Sequence, residues 1–195
     1  RDAAYAARKP EPGPAGAWLT GLVLASAASV DQLEAAVGRG ALPEFAAFNC
    51  YSCHRNMGLA RWRERTPPAG AMPGALRIND SALRLLATAL EAWDPAGAAT
   101  LASGIEGLQR AANEDRAAVA VAANGVRQQL AGLAATLHRA PPSPAVREGM
   151  LRSVLRASGK GAYPDYATAE QAAMAVVVLL TDAGADASRS AEVDA

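Results

Sequence analysis

The residues of this chain best suited to chemistry are two cysteines and a histidine, in the run Cys50-Tyr51-Ser52-Cys53-His54. Two thiols one helical turn apart can each add across a vinyl group of a porphyrin and form a thioether bond. The histidine that directly follows the second thiol is then held beneath the ring, where its imidazole can bind iron. The spacing C-x-x-C-H therefore predicts one haem, attached through Cys50 and Cys53, with His54 as an axial iron ligand.

Two other uses of this cysteine pair are a redox-active dithiol and one half of a zinc site. The chain has no further cysteine, and its second histidine is His138. A thioredoxin-like dithiol is expected within a βαβ pattern, and a zinc site needs a second pair of ligands. Neither companion pattern is present in the sequence, which favours covalent haem.

Through this motif the chain resembles the c-type cytochromes. The resemblance covers residues 50–54 and does not identify a subfamily. It implies haem c as the cofactor, proximal ligation by His54, and maturation outside the cytoplasm, in the periplasm or at the cell exterior. It also implies a redox partner protein.

A basic cluster follows the motif and contains one aromatic residue, Trp62. We expect Arg55 to pair with a haem propionate and Trp62 to lie near the haem edge. The alternative is that the cluster is a solvated basic face and that the indole covers the core.

The second axial ligand of the iron has three candidates. His138 ranks first because no other histidine remains, and Met72 ranks second because it stands in a Met-Pro loop. An open site ranks third and would suit ligand binding or catalysis.

Residues 38–47 and 159–168 share one frame, glycine-basic-glycine-alanine-x-proline-acid-aromatic-alanine. The second copy resembles the loop before the last helix of class I cytochromes c, where a methionine binds iron. Tyr163 occupies that position here. The frame predicts a glycine-dependent turn that is used twice, with Phe45 and Tyr166 anchored in the core.

Composition favours helices and argues against a nucleic-acid partner. Lys plus Arg and Asp plus Glu both number 19 among 195 residues, which gives a formal net charge of zero. Alanine is abundant and aromatic residues are few, which favours helix over sheet. The apolar run 15–29 is too short to span a bilayer, which needs about 20 residues. We therefore expect a buried element there and no transmembrane span.

The predicted organisation is an irregular N-terminal arm at 1–16, one haem-binding helical domain at 17–184 and a flexible C-terminal tail at 185–195. The fold class is all-α, a helical bundle around one covalently attached haem c. Helix starts are predicted from capping patterns at 29–32, 79–80, 94–95, 103–106, 143 and 168–171. The pattern is helical from about 105 to 139, where Gly125 is a candidate break, and the last helix is predicted to end at Gly184.

The leading functional prediction is one-electron transfer by a monohaem c-type cytochrome, as a free carrier or as a subunit of a larger redox assembly. A catalytic role is less favoured, because no phosphate loop or nucleophile elbow is present in the sequence. The alternative is a haem enzyme or gas sensor with an open distal site. A homo- or hetero-oligomeric assembly is the third interpretation, since alanine-rich helices can pack against partners.

Overall fold

The computed structural model describes residues 13–40, 45–49, 77–163 and 165–193, with the side chains of residue 46 and residues 185–193 excepted. Regular structure in these ranges is helical apart from one β-bridge, which confirms the all-α class. Six α-helices are present there, with a 3-10 turn at Phe45–Ala47: α1 (Pro14–Gly38), α2 (Ser81–Leu90), α3 (Pro95–Ala111), α4 (Arg116–Arg139), α5 (Pro144–Gly159) and α6 (Tyr166–Val193).

The short helix α2 lies at the centre of the bundle. It packs against α1, α3, α5 and α6. Its sequence is apolar around most of its circumference, and Leu83, Leu85, Leu86, Ala89 and Leu90 are all buried. A helix that is apolar on nearly every side is stable only when other helices surround it. The remaining helices therefore enclose α2.

The outer helices pack in pairs. Helix α4 lies against α1 and α3, while α5 and α6 form an antiparallel hairpin that covers α2. The buried carboxylate of Asp182 on α6 accepts hydrogen bonds from the Ala15 backbone N–H at 3.1 Å and from Arg147 Nε at 2.5 Å. This contact joins the start of α1 and the start of α5 to α6.

The apolar run 15–29 lies within α1, whose inward face buries Ala15, Leu19, Leu22 and Val23. The prediction of a buried element at this run is therefore confirmed. Helix α1 begins at Pro14, inside the last residues assigned to the N-terminal arm. Of the helices described, none is long and apolar enough to cross a membrane.

Of the six predicted helix starts, those at 79–80, 94–95 and 143 are confirmed, and those at 29–32, 103–106 and 168–171 are wrong. Asp80 directly precedes α2 without a side-chain cap bond. Asp94 accepts from the Gly97 N–H at 2.9 Å, and Ser143 accepts from the Val146 N–H at 3.4 Å. The patterns at 29–32 and 103–106 lie inside α1 and α3. Ser29 instead donates its hydroxyl to a backbone carbonyl one turn earlier. Residues on both sides favour helix, so the capping sequence has no helix end to cap.

The helical pattern over 105–139 is interrupted at 112–115, and not at Gly125, which lies inside α4. Helix α3 ends at Ala111, and Asp115 starts α4 by accepting from the Ala118 N–H at 2.9 Å. The last helix begins at Tyr166, with Asp165 before it rather than Thr168 as its cap. It continues past Gly184 to Val193.

Truncation of a central leucine should destabilise the fold far more than truncation of an exposed one. Leu86 is 0% exposed in α2, whereas Leu155 on α5 is 50% exposed. We expect Leu86→Ala to lower the free energy of unfolding by about 3 kcal/mol, because it leaves a cavity among four helices. For a chain of this size that corresponds to a fall in Tm of about 6–12 °C. Leu155→Ala, the control in the same thermal unfolding experiment, should change Tm by no more than a degree or two. Equal effects of the two variants would contradict the central position of α2.

Candidate functional site

Most of the predicted haem-site residues lie between Asn49 and Arg77 in the chain, outside the described residues: Cys50, Cys53, His54, Arg55, Trp62 and Met72. We call residues 50–76 the motif segment. The residues on either side of it, Asn49 and Arg77, are 6% and 4% exposed. The described structure therefore shows how the two ends of the motif segment are held.

The chain on either side of the motif segment pairs in a small antiparallel β-bridge between Phe48 and Ile78. The Asn49 N–H donates to the Arg77 carbonyl at 2.7 Å, and the Asn79 N–H donates to the Ala47 carbonyl at 2.9 Å. We call residues 47–49 and 77–79 the root. Cys50, the first residue of the motif, directly follows the root.

A buried arginine connects the root to two helices. Arg77 Nη2 lies 2.8 Å from Asp80 Oδ1, and Arg77 Nη1 lies 2.8 Å from Asp165 Oδ2. The Asp80 carboxylate also accepts from Arg84 Nε at 2.6 Å. All these groups except Arg84 have side chains no more than 5% exposed. A buried cation is tolerated only when such partners surround it.

Asp165 lies where the root meets the first turn of α6. Its Oδ1 accepts from both the backbone N–H and the hydroxyl of Thr168, each at 2.9 Å. Burial by itself raises the pKa of the Asp165 carboxyl. The Thr168 donors, the charge of Arg77 and the side-chain amide of Asn49 outweigh burial and hold that pKa below its ordinary value of 3.8. Asp165 is therefore an anion at neutral pH.

No role for this network was predicted from the sequence. Asp80 was expected only to cap a helix, but its carboxylate makes no side-chain cap bond and binds the two arginines instead. The spacing of Asp80 and Arg84 is a local signal, because residues four apart at a helix start are neighbours, whereas Arg77 precedes the helix. No local signal connects them to Asp165, which lies about eighty residues later in the chain.

A cavity of about 350 Å³ lies beside the root, enclosed by α1, α2 and α3. Apolar side chains form most of its wall: Val30, Leu33, Ile78, Leu83 and Leu108. Arg39, at the C-terminal end of α1, also lines it. We call it the root cavity. Its volume is within the range of small-molecule sites, which runs from about 300 to 1,000 Å³.

His138 is exposed in the last turn of α4, far from the start of that helix. The other end of α4 lies near the end of α1, because the Arg116 guanidinium approaches Gly40 and Arg127 pairs with Glu34. At 1.5 Å per residue, His138 is about 33 Å along the helix from Arg116. The described contacts therefore do not bring His138 to the root.

The repeated frame forms the same turn twice, as predicted. Gly40 follows α1 with a φ of 70°, and Gly161 follows α5 with a φ of 69°. This left-handed conformation favours glycine at both positions. The two aromatic residues predicted as core anchors are instead exposed, Phe45 by 80% and Tyr166 by 63%.

Tyr163 occupies the frame position that resembles the methionine of class I cytochromes. Its ring packs partly buried against the core. Burial raises the pKa of the phenol above 10.0, with the Thr88 hydroxyl opposing that shift and the Glu91 carboxylate adding to it. The phenol is therefore neutral at physiological pH.

Removal of Arg77 should be far more damaging than removal of an exposed arginine. Arg77→Met would leave the buried Asp165 carboxylate without its cation and Asp80 with Arg84 alone, and we expect a loss of about 3–5 kcal/mol in the free energy of unfolding. The control is Arg127→Met, since Arg127 pairs with Glu34 at 3.3 Å and its side chain is 50% exposed. Its expected loss is about 0.2–1 kcal/mol. Urea unfolding followed by circular dichroism measures both, and similar losses would contradict the buried network.

No family model matches this chain, and neither the curated proteins nor the solved structures include a significant match. The function is therefore argued from the motif and from the geometry of its root.

Proposed function

We propose that this chain is a monohaem c-type cytochrome that transfers single electrons outside the cytoplasm. The observation that carries the proposal is the C-x-x-C-H run at residues 50–54. The motif directly follows a buried and doubly hydrogen-bonded root. A root of this kind supports the proposal because an attached ring needs a fixed point on the protein.

The residues present fit a haem. Cys50 and Cys53 supply two thiols for attachment, and His54 supplies the proximal imidazole. The apolar wall of the root cavity can exclude water from one side of the ring, and Arg39 can pair with a propionate. When bound, the haem supplies an iron that changes its oxidation state by one electron. The protein sets the potential, the access and the docking of the partner.

For the distal ligand we propose Met72, with His138 as the alternative. Met72 lies in the motif segment together with His54, eighteen residues after it. An extended chain covers about 3.3 Å per residue, so such a separation is ample to reach around a porphyrin. His138 lies at the end of α4 away from the root, as described above. This placement favours the thioether.

We further propose that the cytochrome works with a redox partner protein or within a larger assembly. Helix α6 exposes Met174, Val177 and Leu180 by 48%, 64% and 54%. Exposed apolar side chains that recur along one helix support an interaction surface. Arg55 and Trp62 remain proposed contacts of the haem or of the partner.

The attachment chemistry gives the first test of the proposed function. The full chain is produced with a c-type maturation system, and the haem is extracted with acid acetone. We expect the colour to stay with the protein, because thioether bonds resist extraction, and to be lost in the Cys50→Ala/Cys53→Ala variant. Ser52→Ala is the matched control, since it changes the motif but keeps both thiols and the imidazole. Extraction of the colour from the unsubstituted chain would contradict covalent attachment.

Absorption spectra of the same samples address the distal ligand and the alternative function. A low-spin spectrum in both redox states supports an electron carrier, and a weak long-wavelength iron–sulfur band supports Met72 over His138. A high-spin spectrum that shifts on addition of carbon monoxide would instead favour the haem enzyme or gas sensor.

The proposed role of the root cavity in haem binding can be tested by placing a large side chain at its opening. Ala35 is exposed on α1 and lines the cavity, so Ala35→Trp should place an indole there with little effect on folding. We expect a reduced yield of covalent haem or an altered low-spin spectrum. Ala28→Trp is the matched control, because Ala28 is exposed on the same helix and is not part of the described lining. If both variants behave like the unsubstituted chain, the haem does not use this cavity.

A further inference from the structure

The residue that follows the motif segment is bound to a buried carboxylate. Arg77 donates from Nη1 to Asp165 Oδ2 at 2.8 Å. Asn49, which precedes the segment, is joined to Arg77 through its backbone N–H, which donates to the Arg77 carbonyl at 2.7 Å. The other oxygen, Oδ1, accepts from Thr168 in the first turn of α6. The carboxylate thus joins the root to α6.

The backbone pairing of the root is short and needs such support. It consists of one isolated bridge, and two strands alone are marginally stable in water. Gln109 on α3 supports one side of the root, because its Oε1 accepts from the Ile78 N–H at 3.0 Å. Asp165 binds the Arg77 guanidinium and Thr168, which places it where it can control the position of the Arg77 side of the root relative to α6.

The charges around Arg77 sum to zero when the Asp165 carboxylate is included. Arg77 and Arg84 are the two cations, and Asp80 and Asp165 are the two anions. Neutralising Asp165 would leave a net positive charge in a poorly solvated region next to the motif segment. A buried charge acts strongly there, because little water screens it.

We propose that Asp165 is a positioning residue that fixes the motif segment to α6 and, through it, the environment of the attached haem. The inference rests on the proposed function. Asp165 binds and neutralises the Arg77 guanidinium, and the Arg77 carbonyl in turn accepts from the Asn49 N–H. Removal of Asp165 should loosen the root and make the ferric state, which carries the extra positive charge, less favourable.

The test compares Asp165→Asn with Asp182→Asn in the haem-loaded full chain. Asp182 is a matched control because it is a buried carboxylate on the same helix, paired with Arg147. It lies seventeen residues further along α6, which is about 25 Å. Both variants should lower Tm. Only Asp165→Asn should raise the midpoint potential and accelerate hydrogen exchange of the Asn49 and Asn79 amides, by about tenfold or more.

The outcomes separate this inference from the proposed function. Unchanged potential and unchanged exchange in haem-loaded Asp165→Asn would overturn the positioning role. Faster exchange without a change in potential would also overturn it, since the contact would then be structural only. A chain that takes up no haem refutes the proposed function, whereas the exchange comparison on the same chain still decides whether Asp165 holds the root.

A milder variant covers the case in which Asp165→Asn does not fold. Thr168→Val removes the hydroxyl that donates to Asp165 and preserves the charges of the network. We expect its Asn49 and Asn79 amides to exchange severalfold faster than in the unsubstituted chain. Equal exchange rates would overturn the inference.

Discussion

The constraint on which the rest of this structure depends is the burial of a full positive charge at Arg77, whose side chain is 5% exposed. Because an isolated cation in such a place is strongly unfavourable, carboxylates must be brought to it. Asp80 comes from the start of α2 and Asp165 from the start of α6, so the central helix and the last helix are fixed relative to the root. The position of the root follows from this arrangement, since Arg77 belongs to the root and is the first described residue after the motif segment.

Local chemistry predicted those parts of the fold that depend on neighbouring residues. The caps at Asp94 and Ser143 are examples, because an acceptor side chain next to a proline specifies a helix start without help from the rest of the chain. The same reasoning failed at 103–106, where the sequence of a cap occurs within a continuous apolar face and α3 passes through it. The turn before Asp115 was not predicted, because the alanine-rich sequence on both sides of it favours helix. The chain reverses there because α3 and α4 pack against each other.

The candidate site also has one part that the sequence predicts and one part that it does not. The motif at Cys50 to His54 can be predicted because all of its chemistry lies within five residues. The network around Arg77 could not be predicted, because Arg77 and Asp165 are distant in sequence and no known pattern connects them. The repeated frame is the sequence pattern closest to a prediction of this network, since Asp165 is the acidic residue of its second copy. It was interpreted through its aromatic residues, yet Phe45 and Tyr166 are exposed, and the acidic residue of the second copy makes the tertiary contacts.

The described residues form one core around α2. Their buried apolar side chains lie in the six helices and, within the root, at Phe48 and Ile78. Helix α2 is enclosed by four neighbours in this core. Next to the motif segment in the chain, the described scaffold supplies a paired root, an apolar cavity beside it and a charge balance completed by one carboxylate. Because the Arg77–Asp165 ion pair is buried, loss of either partner destabilises the fold as well, so the root and the helical core depend on each other.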